Sequence, residues 1–142
     1  MSFTDTHTHL YSESFDSDRN EVITRAIENG ITRFFIPSID SSYIESMYDL
    51  EKQYPENIFL MAGLHPTHVK HDYKNELSII VRQLEERNFF AIGEIGIDLY
   101  WDKKMLREQQ DAFHFQIQLA KKHSLPIVIH CRDAFNEVFE IL

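Results

Sequence analysis

At 142 residues the chain is one domain's worth of polypeptide, and its 43% apolar and 13% aromatic content, with only four Gly and four Pro, excludes a disordered or fibrous protein. Lys and Arg number 14 against 23 Asp and Glu, a net charge of −9 with His neutral; this excludes a broad electrostatic grip on a nucleic-acid backbone but leaves room for a small basic site or a metal-bridged contact to a phosphate. The single cysteine, Cys131, excludes an internal disulfide, no apolar run reaches membrane-spanning length, and "MSFTDTHTHL" has no basic-then-apolar leader, so a reduced, cytoplasmic setting is expected.

In chain order, residues 1–10 read as a strand. Asp18 and Glu21 form a capping-box-like pair ahead of a helical stripe of Val22, Ile23, Ala26 and Ile27, which Gly30 closes. "ITRFFIPSI" is a second strand, rich in β-branched and aromatic residues. Ser42 and Glu45 open a second helix with Tyr43, Met47 and Leu50 on one side, ended by Pro55. "IFLMAGL", 58–64, is a third strand. Leu77, Ile80, Val81 and Leu84 recur at helical spacing. "FFAIGEIGIDL", 89–99, is a fourth strand, and Phe113, Ile117 and Ala120 mark a long helix ending near His123. "LPIVIHC", 125–131, is a fifth strand, and "DAFNEVFEIL" begins another helix. Continuous apolar strands alternating with helices imply parallel strands covered by helices. Either an open doubly wound sheet or part of a (β/α)8 barrel fits; no G-x-G-x-x-G follows the first strand, so a dinucleotide fold has no support.

Side chains alternate along a strand, which turns His7 and His9 to one face, aligns His130 with Arg132, and aligns Glu94 with Ile92 and Gly96. These groups fall toward the C-terminal ends of the first, fourth and fifth strands, with His65 just past the third, and in parallel α/β folds that rim carries the site. Neutral imidazoles and a carboxylate suit Zn²⁺, Mn²⁺ or similar ions, and Glu94 on a separate strand could bridge to a second ion. Each residue has an ordinary alternative. A lone H-x-H arises by chance, His130 could be a strand-end histidine bonded to backbone, and Glu94 could pair with Arg132 or a lysine. A carboxylate inside an apolar strand is nevertheless expensive to bury unless paired or metal-bound, and the joint placement at one rim favours the metal reading. His68 could reach the rim from its loop; His71, His114 and His123 lie off it. Tyr100 and Trp101 could line a pocket or serve as loop anchors, and Cys131 reads as a small packed residue.

"DTHTHL", "GLHP", "AIGEIGIDLYWD" and "QQDAFHFQIQLAKKHSLPIVIHCRDAF" together resemble the TatD-type metal-dependent DNases of the amidohydrolase-like superfamily, over residues 3 to about 138. The resemblance implies a (β/α)8 TIM barrel that hydrolyses phosphodiester bonds of DNA with two divalent ions, Mg²⁺, Mn²⁺ or Zn²⁺. It implies His7 and His9 as ligands of the first ion, Glu94 as the bridging and catalytic carboxylate, His130 as a ligand of the second ion, and His65 and Arg132 as substrate-binding positions. Arg132 would hold a phosphate oxygen with its fork.

The family pattern continues with a further histidine and an aspartate beyond the positions present. A barrel takes about 250 residues, so residues 1–142 are expected to form the N-terminal part of one barrel domain: five strands and about four complete helices. The first and fifth strands would then be open edges, which motivates self-association as an expectation. An inactive truncated fragment, a self-associating interaction module, and an amide or lactone hydrolase on the same barrel stay open beside the nuclease reading.

Overall fold

The apolar runs and amphipathic stripes of the sequence become five parallel strands and five helices in a computed structural model that describes residues 1–142. In order these are β1 (Phe3–Asp5), α1 (Arg19–Glu28), β2 (Ile31–Ile36), α2 (Ile44–Gln53), β3 (Ile58–Leu60), α3 (Tyr73–Glu86), β4 (Ile92–Asp98), α4 (Leu106–His123), β5 (Ile127–Arg132) and α5 (Phe135–Phe139). β1, β2 and β3 pair in sequence order, β4 pairs with β5, and a lone parallel bridge between Ala62 and Ile92 joins the two groups. Sequential parallel strands, each followed by a helix, are the wall of a (β/α)8 barrel, with five strands present.

The alternation within each strand explains the layering. Phe34 and Ile36 on β2 and Ile58 and Leu60 on β3 are buried under the helices with Ile23, Met47, Leu50, Leu77, Ile80, Phe113 and Ile117. Removing each such side chain from water contributes roughly 1.5–3 kcal/mol. Phe35 and Phe59 point to the opposite face, where their rings stack at 5.2 Å and meet Phe90 at 6.0 and 4.9 Å.

Several boundaries differ from expectation. β1 ends at Asp5 rather than near Leu10: its register slips after Phe3, and the Asp5 carboxylate takes the His7 N–H at 3.1 Å. Beyond it the backbone hydrogen-bonds to β2 through Thr8 N–H, which donates to the Phe35 carbonyl at 3.2 Å. His7 and His9 therefore stand on an extended segment past the strand. Asp18 is the residue before α1 but makes no side-chain cap, and Gly30, at φ 92°, ends that helix as expected. Asp40 rather than Ser42 caps the turn leading into α2, accepting from Ser42 N at 2.9 Å.

The β4–β5 pair holds a bulge. Ile92 pairs with Ile127 but Ile95 pairs with Ile129, so β4 spends one extra residue between them. The slip corrects the expected alignment of Glu94 with Ile92: Ile92, Ile95 and Ile97 all face the buried helix layer, while Glu94, Gly96 and Asp98 share the other face. Bulges re-aim side chains in this way. The displaced backbone is held from the segment just past β2, because Ser38 N donates to the Gly93 carbonyl at 2.9 Å and Glu94 N donates to the Ser38 carbonyl at 3.2 Å. Gly96 then allows β5 to come close. It sits at φ 146°, and a Cβ there would lie 1.9 Å from the His130 carbonyl oxygen.

Candidate metal centre

Glu94 is 7% exposed, and no lysine or arginine reaches it. Its partners are four imidazoles, divided between its two oxygens. Oε2 lies 3.0 Å from His7 Nε2 and 3.4 Å from His9 Nε2. Oε1 lies 2.9 Å from His130 Nδ1 and 3.6 Å from His65 Nε2. Two donor groups result, His7–His9–Glu94 and His65–Glu94–His130, each with ligand atoms within 4.8 Å of one another. The donor chemistry suits divalent metal binding: imidazole nitrogens on either side and a single carboxylate, the only residue common to both groups, between them. Burial pushes the Glu94 carboxyl up, but hydrogen bonds from His130 and His65 outweigh it and hold the group far below the usual carboxylate range.

The atoms behind each imidazole decide what the ring can offer. His9 Nδ1 lies 2.9 Å from the Tyr11 oxygen, and the Tyr11 O–H donates to the Pro37 carbonyl at 2.8 Å. A phenol has one proton, so with that proton given to Pro37 its oxygen accepts from His9 Nδ1–H. The lone pair of His9 is thereby left on Nε2, facing Glu94 Oε2. Burial, with Tyr43 and Glu94 nearby, pushes the Tyr11 phenol up, so it stays a neutral donor.

His130 is held from both sides: Nδ1 on Glu94 and Nε2 on Asp98 Oδ2 at 2.8 Å. The hydrogen bond to Glu94 raises its pKa, burial opposes, and the bond to Asp98 raises it further. Nδ1 is the atom on the Glu94 side, so Asp98 occupies the position of an orienting carboxylate behind a ligating imidazole. His65 differs. Its Nδ1 accepts from Thr67 N–H at 3.2 Å and lies 2.7 Å from Thr67 Oγ1, which leaves the ring proton on Nε2, toward Glu94 Oε1.

Of the residues singled out in the sequence, the structure gathers His7, His9, His65, Glu94 and His130 around one carboxylate. Arg132 stands at the rim instead, its guanidinium 3.6 Å from the centre of the Tyr100 ring and 5.5 Å from that of Trp101. His68 turns away to Asp40, 3.7 Å distant, and burial lowers its pKa. Two residues of the site were missed. Asp98 is 3% exposed, shares the Glu94 face, and takes the Tyr100 N–H on Oδ1 at 3.1 Å; extending the period-2 reading of "GEIGID" by one step finds it. Tyr11 follows His9 at the same spacing that separates His9 from His7.

A family model described as TatD related DNase matches residues 4–142. The chain belongs to the TatD-related DNase family. Among its curated relatives, a protein of Bacillus subtilis named uncharacterized metal-dependent hydrolase YabD is 36% identical over 138 residues, covering 97% of this chain and 54% of the relative. The 3'-5' ssDNA/RNA exonuclease TatD of Erwinia tasmaniensis is 33% identical over 139 residues, covering 97% and 53%. The crystal structure of the Escherichia coli TatD homolog YJJV superposes with a TM-score of 0.86 at 28% identity, covering 96% of this chain and 53% of that one. The chain thus spans about half the length of the curated family members it matches, consistent with the incomplete barrel wall. No helix is long and apolar enough to cross a membrane.

Proposed function

We propose that the site serves a divalent-metal-dependent phosphodiester hydrolase acting on single-stranded nucleic acid, DNA above all. The observation that carries this reading is the division of Glu94: one buried carboxylate with a separate imidazole set on each oxygen. Bound cations would supply Lewis acidity and lower the pKa of a water molecule. His7 and His9 would hold one ion through Nε2, His130 the other through Nδ1, and Glu94 both. Asp98 fixes the His130 ring and Tyr11 fixes His9. His65 Nε2–H and the outer N–H edge of Arg132 are donors for the non-bridging phosphate oxygens. Hydrolysis breaks one P–O ester bond, forms a P–O bond to the oxygen of water, and passes a proton to the departing alkoxide. Kinship to a named ssDNA/RNA exonuclease and to a named metal-dependent hydrolase supports the substrate class and the metal requirement. The free, half-buried Cys131 suits a reducing, cytoplasmic setting.

The test is cleavage of an end-labelled single-stranded oligonucleotide with Mg²⁺ or Mn²⁺, comparing wild type with Glu94→Gln, and calorimetric titration of both with Mn²⁺. Cleavage by wild type alone, with cation binding lost in the variant, is the expected result. Cleavage that survives Glu94→Gln, or cation binding equal in both, overturns the reading.

Self-association is a second reading, favoured by the open strands: Phe3 on β1 is 54% exposed, and Phe135 and Phe139 of α5 stack at 6.1 Å on the surface. Sedimentation showing only monomer at high concentration removes it.

A further inference from the structure

Beside the metal centre is a cavity of about 270 Å³ that no step above uses. Its wall is formed by Pro66, Val69, Lys70, Trp101, Asp102 and Met105. It adjoins the site on two sides. Pro66 directly follows His65, and Asp98, which also lines the cavity, holds His130 with one oxygen and the Tyr100 N–H with the other. Trp101 is 73% exposed and Tyr100 51% exposed, their rings meeting edge to face at 4.8 Å. Exposing two adjacent large aromatics forfeits burial energy, and the loop that carries them is nonetheless anchored to the carboxylate behind a metal-facing histidine.

We propose that this cavity is a nucleobase subsite, in which a base next to the scissile phosphate stacks on Trp101, over a floor of Val69 and Met105. The assignment rests on the phosphodiesterase reading and names where its substrate is gripped. The charge pattern selects a base over a phosphate. Two carboxylates, Asp98 and Asp102, outnumber the one cation on the wall, Lys70, and disfavour an anion inside it, while the Asp102 carboxylate can accept from N–H groups on a base edge. Lys70 is exposed to solvent, and Arg132, which does not line the cavity, is stacked on Tyr100 with its N–H edge free for the strand's phosphates. Alternating aromatic and cationic groups are how proteins hold single strands, and a π-face is indifferent to base identity. A grip of this kind also reconciles a net charge of −9 with a polyanionic substrate, because stacking needs no long-range attraction.

Trp101 is the sole tryptophan, so its emission reports on the cavity directly. Titrating the chain with a short oligothymidylate, with Mg²⁺ or with EDTA, is expected to quench that emission saturably. An abasic strand of equal length and charge is expected to leave it nearly unchanged. By anisotropy of a labelled strand, Trp101→Ala should bind about tenfold more weakly, whereas Trp101→Phe, which keeps a ring, should stay within a few-fold of wild type. Equal quenching by abasic and base-bearing strands, an unchanged Kd in Trp101→Ala, or no strand binding at all overturns the proposal. The readouts separate it from the reading beneath it. Base-dependent quenching without cleavage would sink the hydrolase and keep the subsite; cleavage that is indifferent to bases and to Trp101 would do the reverse.

Discussion

The two sides of Glu94 are built differently. On the Oε1 side, His130 is a strand residue whose height is set by the β4–β5 register, and its far nitrogen is locked on buried Asp98. On the Oε2 side, His7 and His9 stand on an extended segment past a three-residue strand, partly exposed, with Tyr11 as the fixed point behind them. One donor set is framed by a sheet and the other hangs from its edge. The comparison teaches that a single carboxylate can join a rigid half-site to a compliant one, and that the rigid half should bear the stability and the compliant half the adjustment.

The largest expected effect therefore belongs to the seam. Gly96→Ala places a Cβ 1.9 Å from the His130 carbonyl oxygen at a φ of 146°, and it should cost at least ~3 kcal/mol of stability or prevent folding. Urea denaturation read by circular dichroism measures it; a loss under about 1 kcal/mol would mean that the seam is not the rigid side. Next comes Asp98→Asn, which keeps an acceptor for Tyr100 N–H but removes the charge behind His130. Cation affinity at the Oε1 side should fall about 10- to 100-fold, and the melting temperature should fall as well because His130 loses its buried partner. Unchanged Mn²⁺ titrations would show that Asp98 supports the fold and not the ion. The smallest effect is expected on the compliant side. Tyr11→Phe removes the acceptor for His9 Nδ1–H, so ¹⁵N spectra of the His9 ring should pass from one tautomer to a mixture, with cation affinity down less than about tenfold. A ring that keeps its tautomer in the variant would assign Tyr11 to packing alone.

The same contrast governs what could be read from the chain. β4 is legible because its apolar run carries a carboxylate, Glu94, that must be compensated if buried, and the period of two points it at the rim; all seven residues, Asp98 included, are buried. The bulge was not legible: nothing in "AIGEIG" shows that one residue is spent between Ile92 and Ile95, since the slip is a property of the pairing with Ile127 and Ile129. The face of Ile92 differs from expectation for that reason, while Glu94 and Gly96 share a face as the period of two predicts. At β1 the apolar and polar pattern ran on to Leu10, but local chemistry ended the strand, because Asp5 turned its side chain onto His7 N–H. The histidines still converge on Glu94, so their meeting was foreseeable and its backbone was not. A phosphate role for Arg132 comes from the family resemblance alone; its stacking on Tyr100 depends on a loop whose course no periodicity encodes.

The division of Glu94 has a metrological consequence. The distance between its two oxygens is a covalent constant, independent of temperature, sheet twist or the drift of an edge strand. Whatever motion β1 makes relative to β4 alters how far the first imidazole pair stands from its oxygen, but never the spacing of the two oxygens themselves. The centre thus carries its own internal gauge: the two oxygens that the imidazoles face keep one spacing whatever the accuracy with which half a barrel folds.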